Sequence, residues 1–212
     1  MKFVWTQKRK LFAIFVVLLI VAEVVAFVVT SPRPEEQFFQ FYILGSKRSV
    51  ADYYPQDNPN LQVGSSVSWY VGVTNYMGNV QLIEIRLKLG NETTIPPNST
   101  DDAPSSGFEL TAFDRFLMNN ETWEFPLVWS IINATKTGGS TQILAVKFNN
   151  VTYELPNWSA TNGYNFQVIL ELWVWQQKID AFDFGWGDNG QQTAWLRIWF
   201  NMTNPVPPAY MP

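Results

Sequence analysis

Seven asparagines open an N-x-S/T triplet with no proline in the middle: Asn91, Asn98, Asn120, Asn133, Asn150, Asn157 and Asn201. Such triplets are acceptors for N-linked glycans and call for surface positions. The chain has 17 asparagines. Random placement of Ser and Thr would put roughly two of them in triplets. Asn, Ser and Thr also favour loops for their own reasons, so turn composition competes with glycosylation as the cause. A second set is aromatic. Alternation puts Glu171, Trp173 and Trp175 on one face of one segment, and Trp195, Arg197 and Trp199 on one face of another. Four Trp and one opposite-charge pair on an outer face could stack on sugar rings or anchor a protein partner. A loop or the Pro-rich tail lying over them is the competing explanation.

A third set is acidic. Asp180, Asp183, Asp188 and Asn189 fall in one stretch, KIDAFDFGWGDNG. Oxygen ligands on a loop can hold Ca²⁺, but the spacing is not that of an EF-hand, and acidic loops are usually just solvated. No metal ligands are assigned. The chain has no Cys and no His. Thiol catalysis, thiolate or imidazole zinc sites and imidazole-dependent triads are therefore excluded. No carboxylate pair stands out as a glycosidase acid and nucleophile. No catalytic residue and no cofactor is expected, and the chain reads as a non-enzyme. A net charge of −4 and a pI near 4.8 leave no basic surface for nucleic acid.

These groups must be held by two kinds of element. Residues 11–29, LFAIFVVLLIVAEVVAFVV, carry one charge, Glu23, and are long enough to cross a bilayer as a helix. Lys8, Arg9 and Lys10 precede the run, whereas Arg33, Glu35 and Glu36 are the first charges after it. The positive-inside rule then leaves residues 1–10 as a cytoplasmic tail and puts the remainder outside the cell. A cleavable signal peptide is the rival, with Val24-Val25-Ala26 as small residues for a peptidase, but the run exceeds a usual h-region. Glu23 either snorkels to the interface or contacts a polar group on a partner helix.

Residues 30–37, TSPRPEEQ, form a Pro-stiffened linker. Residues 38–204 show no amphipathic helix. They show strand-length alternating runs split by turn signals, in a chain with 10 Trp, 8 Tyr and 16 Phe. In residues 81–89, Ile83, Ile85, Leu87 and Leu89 point inward, with Glu84, Arg86 and Lys88 outward. Residues 108–118 and 122–132 read as a hairpin, and Pro126 assigns the second strand to an edge or a bulge. Residues 133–141 read as a loop. Residues 143–148 and 151–155 read as a hairpin around Asn149-Asn150. About nine antiparallel strands pack most economically as an immunoglobulin-like β-sandwich, with a barrel as the alternative. The last two long strands, 166–176 and 193–201, should pair. Symmetry about Phe184 would set Glu171 against Arg197, Trp173 against Trp195 and Ile169 against Trp199. A shift by two would keep the faces. Residues 205–212, PVPPAYMP, form a Pro-rich extended tail.

Phe41, Tyr42, Leu44 and Gly45, then Ala51, Tyr54 and Pro55, Leu61 and Gly64, Gly72, Val73 and Asn75, and Glu121, Trp123 and Pro126 carry a resemblance. Over residues 38–130 the chain resembles the outer domain of an archaeal membrane-protein family, number 1616 among the domains of unknown function. It departs in having one membrane helix where members often have several, and Tyr76 where a polar residue would follow Asn75. The resemblance implies a β-rich archaeal envelope protein and no catalytic residues. On physical grounds Gly45 and Gly64 suit turns with unusual backbone angles, and Gly72 admits a close neighbour. Tyr54-Pro55 favours an extended backbone. Taken together, the residues predict a single-span glycosylated envelope protein that binds other envelope proteins as an accessory or structural subunit. The alternatives are a carbohydrate-binding module on the Trp strip and a carboxylate-dependent hydrolase.

Overall fold

The structure, a computed structural model, describes residues 7–30, 36–187 and 192–205. Expectations for residues 31–35 of the linker, for Asp188 and Asn189, and for the tail beyond Pro205 lie outside the described residues. The chain forms two compact units, Met1–Glu36 and Gln37–Pro212. In the first, helix α1 runs Gln7–Thr30 without a Pro or Gly. Its Arg9–Thr30 stretch is long and apolar enough to cross a membrane. Glu23 sits exposed on it. The Thr30 hydroxyl donates back to the Ala26 carbonyl at 2.6 Å.

The second unit is a two-sheet antiparallel sandwich, as the alternation predicts. One sheet has the order β1-β2-β5-β6-β7: β1 Phe39–Leu44, β2 Ser66–Asn75, β5 Thr122–Thr137, β6 Ser140–Phe148 and β7 Val151–Thr161. The other has the order β10-β8-β3-β4: β3 Gln81–Gly90, β4 Phe108–Leu117, β8 Phe166–Gln176 and β10 Ala194–Phe200. Short β9, Ala181–Asp183, also pairs with β8. The chain crosses between the sheets after β2, after β4 and after β7.

Each inner face follows from period-two alternation. Val67, Trp69, Val71 and Val73 of β2 meet Ile83, Ile85 and Leu87 of β3 and Val168, Leu170, Leu172 and Val174 of β8 in one core. Its centre is aromatic. Trp129 stacks on Phe148 at 5.6 Å and meets Trp69 at 5.3 Å and Phe200 at 5.1 Å. Phe200 stacks in turn on Phe166 at 5.5 Å. Large rings give most area per residue, which suits a domain with no disulfide to lean on. Trp69 and Trp158 keep their indole N–H groups satisfied, donating to the carbonyls of Tyr53 at 2.6 Å and Gly90 at 2.7 Å.

Four local expectations change. Residues 108–132 are not a hairpin: β4 pairs with β3 and β5 with β2, so the Met118–Glu121 turn carries the chain from one sheet to the other. Residues 133–137 are strand, because β5 continues through a bulge at Asn133 while β6 pairs alongside. Pro126 is in neither an edge strand nor a bulge. It pairs with Tyr70 in a central strand. Its carbonyl faces the β6 side, where it accepts from Asn149 Nδ2 at 3.1 Å. The N–H it lacks would point the same way, past the end of β6, so no ladder bond is lost. Asn149 completes the patch by accepting from the Val128 N–H at 2.8 Å. Gly45 answers to space rather than angle: a Cβ there would come within 1.9 Å of the Ala51 carbonyl oxygen.

Other local readings hold. Asn149 and Asn150 both have positive φ, 43° and 70°, which is the tight-hairpin geometry expected between β6 and β7. Gly64 has φ +86°. Tyr54 is extended at φ −131°, ψ 158°. Gly72 lies beneath the Tyr42 ring, whose nearest atom would be 2.2 Å from an added Cβ.

Candidate functional site

β8 and β10 pair antiparallel, two residues away from the symmetric register. Trp195 sits opposite Glu171, Arg197 opposite Ile169 and Trp199 opposite Gln167. The shift is even, so every candidate side chain keeps the outer face of its sheet. β3 lies on the other side of β8, with Glu84 opposite Trp173, Arg86 opposite Glu171 and Lys88 opposite Ile169. The outer face is therefore a charged and aromatic checkerboard.

Much of that face is covered by a third layer. Glu171 is 0% exposed and Lys88 only 7%, and they pair at 2.8 Å. One residue of the loop between β3 and β4 clamps both. The Ser105 N–H donates to Glu171 Oε1 at 2.6 Å, and its carbonyl accepts from Lys88 Nζ at 3.2 Å. Trp173 donates its indole N–H to Glu171 Oε2 at 3.2 Å. The Arg86 guanidinium lies 3.6 Å from the Trp173 ring centroid, close enough for a cation–π contact. Phe184, fully buried, meets Trp173 at 5.8 Å, and Phe182 meets Trp175 edge-on at 5.3 Å. Residues 181–184 thus strap the lower Trp pair. Against this strap, a Cβ on Gly185 would lie 2.8 Å from Asp102 Cβ, which joins it to the β3–β4 loop.

Trp195, Arg197 and Trp199 stay on the edge strand, half-buried to exposed. Trp199 is 39% exposed, and the Arg197 guanidinium lies 4.9 Å from its ring and 5.8 Å from that of Trp195. The Tyr54 hydroxyl donates to the Trp199 carbonyl, across the seam between β10 and the segment after β1. Burial pushes the Tyr54 phenol well above its ordinary value. Tyr42, on the opposite sheet, is raised by burial and by the neighbouring Glu124 carboxylate.

The seven triplet asparagines separate by environment. Asn98, Asn120, Asn133, Asn150 and Asn157 are exposed. Asn91 and Asn201 are half-buried and donate their amide nitrogens to other segments of the sandwich. Asn91 Nδ2 donates to the Ser159 carbonyl at 2.7 Å, and Asn201 Nδ2 to Asn60 Oδ1 at 3.0 Å. Asn201 Oδ1 accepts from the Asn165 N–H at 3.1 Å. Of the acidic stretch, Asp180 is exposed and Asp183 is half-buried in β9. Among the described residues no group of three acidic or other metal-ligating side chains is gathered.

Lys88, Arg86, Ser105 and Phe184 complete this site beyond the residues that alternation alone marks as a strip. Alternation puts both Lys88 and Glu171 on outer faces, and their opposite charge is the available signal. Pairing them requires knowing that β3 lies beside β8. Asn75 was missed as a structural centre. It is fully buried, donates to the carbonyls of Asn79 at 2.8 Å and Leu117 at 3.0 Å, and accepts from the Met77 N–H at 2.8 Å. No protein-family model matches the chain, and no curated protein matches it. The class that fold and site define is a β-sandwich behind one apolar N-terminal helix.

Proposed function

We propose that this is a single-pass membrane protein that holds an N-glycosylated sandwich outside the cell as an interaction or structural subunit of the envelope. The observation that carries this reading is the set of five exposed triplet asparagines on a domain tethered to one basic-flanked apolar helix. Exposure is what a transferase and its glycan require, and Lys8-Arg9-Lys10 favours a cytoplasmic N-terminus. The resemblance of residues 38–130 to the archaeal outer-domain family, which implies a β-rich envelope protein, supports the same setting. The reading favours binding over catalysis, since three carboxylates on the strip's own sheet are engaged with bases. Glu84 and Glu109 pair with Arg86, and Glu171 pairs with Lys88. Glu23 is the position in α1 for a polar contact with a partner helix. Purification of the full chain from its native membranes in mild detergent tests the reading. A stable co-purifying envelope protein is expected, and a bare monomer would contradict it.

A second reading rests on Trp199, exposed on edge strand β10 with Arg197 against its ring. A sugar ring could stack there. Retention of the protein on polysaccharide, lost in Trp199→Ala without loss of the fold, would favour it over protein binding.

A further inference from the structure

The chain enters the sandwich at Phe38, eight residues after Thr30 ends α1. An extended chain spans at most about 3.3–3.6 Å per residue, so eight residues reach at most roughly 30 Å. Three turns surround the entry point. The Tyr76 N–H donates to the Phe38 carbonyl at 2.9 Å, and the two rings meet at 4.9 Å. The Gly78 N–H donates to Asn119 Oδ1 at 2.9 Å, and the Asn120 N–H to the Asn75 carbonyl at 2.7 Å. The turn after β8 reaches the same end, because Val174 of β8 stands opposite Ile83 near the start of β3.

This end exposes several large apolar side chains. Phe38 is 44% exposed, Tyr76 36%, Val80 51%, Met118 60% and Ile179 58%. Residues 75–80 and 118–120 contain no charge, and in the turn after β8 Ile179 stands between Lys178 and Asp180. The loops at the opposite end carry the charges of Lys47, Arg48, Asp52, Asp57 and Glu92 around exposed Val50, Ile95 and Tyr164. Clustered exposed apolar side chains mark contacts, and Tyr rings favour the lipid headgroup region. A tether this short supplies about millimolar effective concentration, so a weak apolar contact becomes populated.

We propose that this end of the sandwich rests on the lipid surface, with Phe38, Tyr76, Val80, Met118 and Ile179 in the headgroup region. The inference rests on α1 being a membrane span. It also sets Asn120 apart from the other exposed triplet asparagines, since it alone lies among these turns. A glycan there would hold the surface off the lipid.

The cysteine-free chain permits a direct test. Tyr76→Cys, Val80→Cys, Met118→Cys and Ile179→Cys, each in the full chain, are labelled with a polarity-sensitive fluorophore and reconstituted into phosphatidylcholine vesicles. Blue-shifted emission that nitroxide-labelled lipid quenches is expected at all four. Val50→Cys and Tyr164→Cys, exposed at the opposite end, should show neither. Val17→Cys in α1 serves as the reference for insertion. Quenching at Val17 with none at the four positions overturns the proposal and leaves the anchor intact. No quenching at Val17 removes the anchor and the proposal with it. A blue shift without quenching means a protein environment, and a glycan on Asn120 of the native protein means an open one. Either result overturns the proposal.

Discussion

Lys88 and Glu171 form a charged pair taken almost wholly out of water. Such a pair is weak evidence for stability, but breaking one side leaves an uncompensated buried charge. Glu171→Gln keeps an acceptor for the Ser105 N–H and leaves Lys88 without a counter-charge. It should destabilise the sandwich by about 3–5 kcal/mol in denaturant unfolding. Lys88→Met with Glu171→Leu should cost much less than the sum of the single changes, the signature of a coupled pair. Additive costs would mean that the two charges do not depend on each other. Tyr54 gives a pH dependence with a defined sign. Its folded pKa is raised, so the fold favours the neutral phenol. That contribution is complete below the unfolded value of about 10 and is lost as pH rises through the folded pKa. Tyr54→Phe keeps the ring against Trp69 but loses the bond to the Trp199 carbonyl. It should cost about 0.5–1.5 kcal/mol at neutral pH and flatten the alkaline fall in thermal midpoint. An unchanged alkaline profile would assign the fall to other groups, Tyr42 among them.

At the scale of elements, the strap of residues 181–184 and the loop between β3 and β4 turn one outer face into a second, smaller core. Phe184 has no water contact and seats on Trp173. Phe184→Ala should therefore cost about 3–5 kcal/mol, the range for large buried aromatics. Amide exchange should quicken around Ser105 before the main strands open. Protection unchanged at Ser105 would mean that the loop is held independently of the strap. The strands themselves were legible because their inner faces alternate without a break. Val67 to Val73 and Ile83 to Leu89 are each apolar at every second residue, and both sets are buried. What lies over an outer face was not legible. The same alternation assigned Glu171 and Trp173 to solvent, because period two reports which side a residue takes and not whether a distant loop returns to cover it. Pro126 misled for a related reason. A missing N–H matters only if a neighbouring strand faces it, and the end of β6 is a tertiary fact.

At the scale of the molecule, the two-sheet architecture followed from strand count and turn spacing, whereas the partition of strands between sheets did not. The Met118–Glu121 segment has the form of a hairpin turn, yet β4 and β5 enter different sheets. The buried Asn75 ties that turn to the corner after β2. Of the triplets, spacing alone placed all seven on equal terms, and burial separates them. Site-resolved mass spectrometry of the native protein should find glycans at Asn98, Asn133, Asn150 and Asn157, and none at Asn91 or Asn201. Glycans at the last two would require the Ser159 and Asn60 bonds to open.

The display of the sandwich outside the cell is tested most directly by thiol labelling of intact cells. Two full-chain variants suffice, since the chain has no cysteine of its own. Val50→Cys places a thiol on a residue 81% exposed in the sandwich. Gln7→Cys places one at the start of α1, before the basic cluster. A membrane-impermeant maleimide should label Val50→Cys on intact cells and Gln7→Cys only after lysis. Labelling of Gln7→Cys on intact cells with Val50→Cys protected would reverse the topology and contradict the proposed function.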